Sequence, residues 1–270
     1  MNSKTRYRIT LSYVGTRFCG WQKQPNRKVV SIQGCLETAL KSITTQKVAV
    51  AGSGRTDAGV HALAQVAHFD LAPHRKGGQW ETRVLQNGLN SKLPADIRIL
   101  NCEISNHDFH AQKTAIQKQY AFYFAQGPSP LPFLEPYTWW IRDRLDDQAM
   151  NEAVKKIEGE HDFKVFQASG ALLKTTVRKI VSASVERVSP VGFLTLPLED
   201  HGVELVRLRL VGTGFLKQMV RSIAGTLLQV GDGRRDPNCL LELIQSKKRH
   251  EVGPTAPSKG LWLERVDYDN

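Results

Sequence analysis

The sequence lacks the features that mark membrane, secreted and zinc-binding proteins. No apolar run reaches the roughly 18 residues that a membrane-spanning helix needs. The four cysteines, at positions 19, 35, 102 and 239, form no Cys-x-x-Cys pair, which argues against a zinc knuckle or a disulfide framework and favours a reducing compartment. No apolar segment follows Lys4, Arg6 and Arg8, so we expect no secretory signal and a cytoplasmic protein without membrane association.

Acidic residues are also few in comparison with basic ones. The chain of 270 residues has 26 Asp and Glu against 37 Lys and Arg, a net charge of +11. A surplus of this size raises the local concentration of anions and predicts a polyanionic partner, with a basic enzyme that lacks such a partner as the alternative. The candidate phosphate contacts are Arg17, Lys23, Arg27, Lys28, Arg75, Lys76, Lys247, Lys248 and Arg249.

Hydrophobic periodicity in the first part of the chain predicts alternating strands and helices. Arg6 to Ser12 alternates polar and apolar residues as a half-buried strand does, with Tyr7, Ile9 and Leu11 on one face. Ser31 can cap a helix whose apolar stripe begins at Ile32. Further strands are predicted at Lys47–Ala51, Gln65–Asp70 and Ile97–Glu103, and a further helix at Thr82–Asn90.

The second part of the chain repeats this mixture. Strands are predicted at Gln119–Ala125, Val177–Arg187, Val203–Val211 and Leu261–Val266, and helices after Asp146 or Asp147, at Leu216–Val230 and after Asp236-Pro237. The pattern indicates an α+β fold with helices packed on one face of mainly antiparallel sheets. The residues from Ser105 to His110 carry the weakest pattern, and we predict that they divide the chain into domains 1–105 and 106–270.

The stretch from Gly52 to His61, GSGRTDAGVH, is the most informative part of the sequence. Three of its first eight residues are glycine, so the backbone turns tightly there. A phosphate-binding loop is disfavoured, because Asp57 stands where a dinucleotide fingerprint places its third glycine. An Asx turn is a second interpretation, and a carboxylate presented to substrate as a nucleophile or base is a third.

Motifs along the whole chain resemble those of the tRNA pseudouridine synthase A family. The resemblance is carried by GRTDAGVH from Gly54, by FCGWQKQ from Phe18, by Gln65 to Phe69, and then, in order, by Asn87–Asn90, Leu93–Ile97, Asp108–Ala111, His161–Phe163, Arg178, Met219–Arg221, Val252–Pro257 and Gly260–Leu263. It implies an isomerase that converts uridine to pseudouridine at positions 38, 39 and 40 of the tRNA anticodon arm, without a cofactor or metal. It also implies two ferredoxin-like halves whose sheets form one extended sheet with a basic cleft between the halves, and a homodimer that binds tRNA.

The resemblance assigns roles to five residues. Asp57 is the expected catalytic aspartate, and Arg221 is the arginine expected to pair with it, since a carboxylate in a partly dry cleft needs a cation. Tyr120 is expected to stack on the target uracil and to take part in catalysis, and its neighbours Lys118 and Gln119 favour an exposed ring. Leu261 is expected to close the other side of the base pocket, and Arg55 to hold the flipped nucleotide.

Several positions depart from the family pattern. Gln112 and Lys113 replace an arginine and an aromatic residue, Ala64 replaces a glycine, Phe122 replaces a tyrosine, and Lys217-Gln218 replaces a more usual pair. These departures leave the expected chemistry in place and concern the contacts with tRNA. Two other functions stay open at this stage: a catalytically silent tRNA-binding protein or folding helper, and a different base-modifying enzyme such as a methyltransferase.

Overall fold

The computed structural model describes residues 4–24, 29–75, 77–168, 170, 174–188 and 202–269. By its internal contacts the chain divides into two compact units, Met1–Ile116 with Leu263–Asn270, and Gln117–Trp262. The split falls eleven residues after the predicted division at 105/106, and the last strand returns to the first unit. The division into independent domains stays a prediction.

The described elements are those of a mixed α+β protein. The strands are β1 Thr5–Tyr13, β2 Ala51–Gly52, β3 His61–Leu71, β4 Ile97–Ser105, β5 Ala115–Gln126, β6 Trp139–Ile141, β7 Gly159–Asp162, β8 Val177–Val188, β9 Glu204–Gly212 and β10 Leu261–Tyr268. The helices are α1 Ile32–Thr44, α2 Thr82–Lys92, α3 Asp147–Lys155, α4 Met219–Gly231 and α5 Cys239–Ser246. The expected α+β class, with mostly antiparallel strand pairing, is confirmed.

The sheet of the first unit has the neighbour order β4-β1-β3-β10, and β2 also pairs with β3. The pairs β1–β3, β1–β4 and β2–β3 are antiparallel. Alternate residues of β1 are buried, as the sequence pattern predicts, and Tyr7, Ile9 and Leu11 are fully so. Ser31 caps α1 as predicted, because its hydroxyl accepts a hydrogen bond from the N–H of Gly34 at 3.1 Å.

The strand predicted at Lys47–Ala51 is wrong, since β2 begins only at Ala51. Val48 and Val50 are buried, so the apolar pattern marks core residues correctly. However, the N–H of Val50 donates to Glu37 Oε1 at 3.4 Å, and its carbonyl accepts from Gln33 Nε2 at 3.0 Å. Side chains of α1 therefore satisfy the backbone groups that a neighbouring strand would otherwise pair.

The sheet of the second unit has the neighbour order β5-β9-β8-β7, with β6 paired to β5 in parallel. The pairs β5–β9, β9–β8 and β8–β7 are antiparallel. Phe122 and Phe124 of β5 are fully buried with ring centroids 4.8 Å apart, and Trp139 packs against both. The apolar residues of α4, among them Ile223 and Leu227, are likewise buried.

Helix α4 begins three residues later than predicted. The sequence predicts a helix from Leu216, but Gln218 has a φ of +61°, outside the range of a right-handed helix. Leu216 is buried nonetheless, so its apolar character reflects packing of the turn before the helix. The other helices begin within a few residues of their predicted starts: α3 after its cap Asp146, and α5 at Cys239.

Within the described residues, no helix is both long and apolar enough to cross a membrane. In the same part of the chain, no group of three or more His, Cys, Asp and Glu side chains is arranged to hold a metal ion.

Candidate active-site residues

Asp57 lies in the loop between β2 and β3 in the first unit. The N–H of Val60 donates to the backbone carbonyl of Asp57 at 3.2 Å, which closes a turn over residues 57 to 60. The side chain of Asp57 is half-buried and that of Arg55 is exposed. These two expected site residues are two positions apart in this loop, and both side chains are at least partly exposed.

A second segment, Gly20-Trp21, packs against the backbone of this loop. The N–H of Trp21 donates to the carbonyl of Thr56 at 3.0 Å. A Cβ atom at Gly20 would lie 2.5 Å from that carbonyl oxygen and 3.0 Å from the carbonyl carbon of Asp57, so only glycine permits the approach. The FCGWQ motif therefore has a structural role, which is to hold the backbone of Thr56 and Asp57.

A buried polar network also reaches the loop. The hydroxyls of Tyr13 and Thr56 are hydrogen-bonded at 2.9 Å, and Gln65 Nε2 donates to the carbonyl of Gly54 at 3.2 Å and to Tyr13 Oη at 3.4 Å. The Ser53 hydroxyl donates to Gln65 Oε1. Burial raises the pKa of Tyr13 to about 12, so its hydroxyl stays protonated. The alternation of β1 in the sequence indicates that the Tyr13 side chain is buried. It does not indicate the hydrogen-bond partner of Tyr13, because Thr56 is 43 positions away.

Arg221 lies in the first turn of α4 in the second unit and is half-buried. Its Nε donates to the carbonyl of Ala256 at 2.7 Å, and the N–H of Ala256 donates back to the carbonyl of Arg221 at 3.1 Å. A Cβ atom at Gly225 would lie 1.6 Å from the carbonyl oxygen of Pro254. The segment Val252–Pro257, VGPTAP, therefore packs directly on α4 and orients the guanidinium of Arg221.

Tyr120 and Leu261 also belong to the second unit. Tyr120 lies on β5 opposite Leu210 of β9, and its ring packs edge-on against Phe215 with centroids 5.0 Å apart. The expectation of an exposed ring is wrong, because Tyr120 is only 8% exposed. Its neighbour Lys118 is buried enough that desolvation lowers the pKa of the ammonium. Leu261 is buried at the first position of β10.

Part of the predicted basic surface lies around a cavity in the second unit. This cavity of about 370 Å³ is lined by Lys164, Val165, Gln167, Ala168, Gly170, Lys247 and Arg249. Lys247 pairs with Asp162 at 3.2 Å, and Arg249 Nη1 donates to the carbonyl of Val165 at 3.0 Å. Three cationic side chains therefore line one opening, and one of them is paired with the carboxylate of Asp162. Arg27, Lys28 and Lys76 lie outside the described residues.

Other predicted basic residues are engaged in contacts of their own. Arg17 pairs with Asp96, and Lys23 pairs with Glu37 at 3.1 Å. Exposed ion pairs of this kind contribute little to stability, and either cation can exchange its partner for a phosphate. Both residues therefore stay candidates for contacts with an anionic partner.

The Asp108–Ala111 motif joins three strands of the first unit. Arg6 donates to the carbonyl of Phe109 at 2.8 Å, the N–H of Ala111 donates to His68 Nδ1 at 3.2 Å, and the Tyr268 hydroxyl donates to the carbonyl of Ala111 at 2.6 Å. Burial, and secondarily the charge of Arg6, lowers the pKa of His68 to about 4, so this imidazole is neutral. The motif has a structural role here.

Two of the departures from the family pattern follow this motif directly. Gln112 and Lys113 are both exposed, and their N–H groups donate to His110 Nδ1 at 3.2 and 3.3 Å. His110 thus shapes the backbone of the turn while the two side chains extend into solvent. The substitutions at 112 and 113 therefore change surface chemistry and leave the packing of the unit intact.

Comparison with known proteins decides the family. The family profile described as tRNA pseudouridine synthase matches residues 9–112 and 153–269. This chain belongs to that family. It is 38% identical over 266 residues to "tRNA pseudouridine synthase A" of Ligilactobacillus salivarius, covering 98% of this chain and 96% of that protein. Proteins of the same name from Lacticaseibacillus casei and Bdellovibrio bacteriovorus are 40% and 39% identical, with 98% of this chain and 100% and 95% of those proteins covered.

One solved structure, of a Cbf5–Nop10–Gar1 complex, aligns over 82% of this chain and 45% of its own. Its sequence identity is 14% and its TM-score 0.31, so it adds nothing to the assignment. Membership of the tRNA pseudouridine synthase family thus rests on sequence. The family's activity is the isomerisation of uridine within tRNA, which makes this chain an RNA-binding isomerase of the tRNA-modifying class.

Proposed function

We propose that this chain isomerises uridines 38, 39 and 40 of the tRNA anticodon arm to pseudouridine, with Asp57 as the catalytic carboxylate. Family membership over nearly the whole chain carries the proposal. The half-buried position of Asp57, in a loop held from below by Trp21 and Tyr13, supports it. Such a loop presents a carboxylate in a fixed direction, as nucleophilic or acid–base chemistry requires.

The reaction breaks the C1′–N1 bond of uridine, turns the uracil, and joins C1′ to C5. The proton on C5 leaves and N1 gains one, so atoms and electrons balance within the nucleotide. The rearrangement therefore needs no oxidant, metal or nucleotide. Asp57 acts either as a nucleophile towards the sugar or base or as a base that assists a glycal intermediate, and both routes need it ionised.

Arg221 is the proposed cation that keeps Asp57 ionised. The bond from its Nε to the carbonyl of Ala256 restricts the direction of the guanidinium, because Nε is part of one rigid plane with the two terminal nitrogens. The side chain has already lost much of its conformational freedom in the folded protein. Pairing with an anionic charge therefore carries little further entropic cost for Arg221. The test is Arg221→Gln, which removes the charge and should lower the single-turnover rate constant far more than tRNA affinity. An unchanged rate constant would refute the role of Arg221.

Tyr120 and Leu261 are proposed to bind the extruded uracil, and Arg55 to hold the flipped nucleotide. Both side chains are packed in place, Tyr120 against Phe215, so a base would meet preformed apolar walls rather than mobile side chains. The exposed guanidinium of Arg55 suits contact with a phosphate. We further propose that Lys164, Lys247 and Arg249, which line the same cavity, contact the tRNA backbone.

The finer architecture is also part of the proposal. The first unit has the element order β1-α1-β2-β3-α2-β4, and its strands β4, β1, β3 and β2 are neighbours in that order, which supports a ferredoxin-like half. The second ferredoxin-like half, the extended sheet, the basic cleft, the homodimer and the cytoplasmic location stay predictions.

The decisive experiment uses purified protein, unmodified tRNA and no added cofactor, with site-resolved pseudouridine mapping. We expect pseudouridine at positions 38 to 40 with wild type and none with Asp57→Asn, which removes the charge but little volume. Asp143→Asn is the matched control, because Asp143 is an exposed carboxylate. Near-normal turnover by Asp57→Asn would refute the role of Asp57. Tight tRNA binding without any modification by wild type would favour the silent tRNA-binding alternative.

A further inference from the structure

The polar groups beneath the Asp57 loop form a chain of hydrogen bonds that the proposed reaction does not use. The chain runs from Ser53 through Gln65 and Tyr13 to Thr56, and each of these side chains is less than a tenth exposed. Buried polar groups are costly unless they are bonded, and an apolar core would be simpler to build. A network in this place therefore calls for a reason beyond packing.

We propose that Tyr13 is a positioning residue for the isomerisation: its hydroxyl holds Thr56 and so fixes the direction of the neighbouring Asp57 carboxylate. The inference rests on the proposed role of Asp57. Thr56 is held at two atoms, its carbonyl by the N–H of Trp21 at 3.0 Å and its hydroxyl by Tyr13 at 2.9 Å. Two fixed points on one residue leave little freedom for the peptide that leads into Asp57.

Tyr13 is itself held rigidly. Its ring lies on the buried face of β1, tilted against Trp21 with centroids 6.4 Å apart. Gln65 Nε2 reaches Tyr13 Oη at 3.4 Å, and Gln65 is fixed in turn through Oε1, which accepts from the Ser53 hydroxyl and from the N–H of Val66 at 3.2 Å. The network thus ties the loop to two strands, β1 and β3.

The same strand offers a matched control. Tyr7 lies on the same buried face of β1, is fully buried, and donates its hydroxyl to the carbonyl of Trp80 at 2.9 Å. Tyr7→Phe therefore removes the same hydroxyl and its part-buried bond to Trp80, whereas Tyr13→Phe removes the bonds to Thr56 and Gln65. A purely structural role predicts similar consequences for Tyr13→Phe and Tyr7→Phe.

The experiment measures the single-turnover rate constant, the tRNA dissociation constant and urea-induced unfolding for both variants. We expect Tyr13→Phe to lower the rate constant about 10- to 100-fold, as small displacements of a reacting group do, with tRNA affinity changed less than about 2-fold. Tyr7→Phe should lose stability yet keep a rate constant within about 2-fold of wild type.

Thr56 provides an independent check from the other side of the bond. Thr56→Val keeps the shape and removes the hydroxyl, so it should slow turnover as Tyr13→Phe does, whereas Thr56→Ser should restore the rate. The double variant Tyr13→Phe/Thr56→Val should be no slower than the slower single variant, because both changes break the same Tyr13–Thr56 hydrogen bond. If Tyr13→Phe does not fold, the two Thr56 variants decide the question.

A Tyr13→Phe rate constant equal to that of Tyr7→Phe would overturn the proposal, as would a loss confined to tRNA affinity or additive effects in the double variant. Failure of the underlying function gives a different result, since wild type would then form no pseudouridine or Asp57→Asn would remain active. An active wild type, an inactive Asp57→Asn and a normal Tyr13→Phe would refute the positioning role alone.

Discussion

Gly225→Ala is expected to disturb the orientation of Arg221 from a distance of one helical turn. The added Cβ would lie 1.6 Å from the carbonyl oxygen of Pro254, whereas ordinary contact begins at 3.4 Å, so the two segments must separate by about 1.8 Å. A hydrogen bond of 2.7 Å between Arg221 Nε and the carbonyl of Ala256 does not survive such a shift.

The free-energy terms can be compared. Alanine gains at most about 1 kcal/mol over glycine in a helix. Overpacking against backbone costs about 1–3 kcal/mol, and loss of the two bonds between Arg221 and Ala256 costs about 1 kcal/mol each. The expected net destabilisation is therefore about 2–4 kcal/mol, and turnover should fall further than the folded fraction does.

Gly88→Ala is the control for this prediction. Gly88 lies within α2, and its added Cβ would meet the flexible Cδ1 of Ile43 at an ordinary 3.4 Å. This variant should be as stable as wild type or more so, by up to about 1 kcal/mol. Urea unfolding compares the two variants, and single-turnover assays follow on the folded protein. If Gly225→Ala were as stable and active as Gly88→Ala, the reasoning on the VGPTAP segment would be refuted.

Three further predictions concern the ring of Tyr120, the basic cavity and alkaline stability. Tyr120→Phe should bind tRNA as wild type does but turn over more slowly if the hydroxyl takes the C5 proton, whereas equal single-turnover rates would leave it a stacking role only. The double variant Lys247→Ala/Arg249→Ala should reduce the salt dependence of tRNA binding, since both side chains line the cavity. Lys248→Ala, which changes a residue that does not line the cavity, should reduce it less. If the plots of log affinity against log salt had equal slopes for both variants, a backbone contact at the cavity would be excluded. Because the pKa of Tyr13 is raised to about 12 in the folded state, its contribution to stability is complete below about pH 10 and is lost as the pH rises towards 12, so Tyr13→Phe should lose less stability over that interval in urea titrations.

The sequence predicts local structure well where local chemistry decides it. The alternation of β1 and the Ser31 cap of α1 depend on residues close in the chain, and both are confirmed. The strand predicted at Lys47–Ala51 fails because Gln33 and Glu37, from another element, satisfy the backbone of Val50. Periodicity reports which side chains are apolar, but not which group pairs with each N–H.

In the candidate site, too, the sequence identifies individual residues but not their partners. The motifs point to Asp57 and Arg221 as candidates, and both side chains are half-buried in the structure. The partner of each group is not visible in the sequence, because Tyr13 and Thr56 are 43 positions apart, and Arg221 and Ala256 are 35 apart. Tyr120 shows the opposite error, since polar neighbours in the sequence suggest exposure while packing against Phe215 buries the ring.

The return of β10 to the first unit has a consequence for biosynthesis. The unit that carries Asp57 consists of residues up to 116 and of the last residues from Leu263. Strand β10, which lies beside β3, is therefore synthesised about 145 residues after the rest of this unit. During synthesis, the earlier part of this unit therefore emerges with an edge of β3 that the two residues of β2 cover only in part, without the Tyr268 hydroxyl on Ala111 and without the Tyr268 ring under the Arg8 guanidinium. Such an edge favours contact with other chains until translation has passed β10. The loop that carries Asp57 is consequently synthesised long before the sheet of its unit is complete.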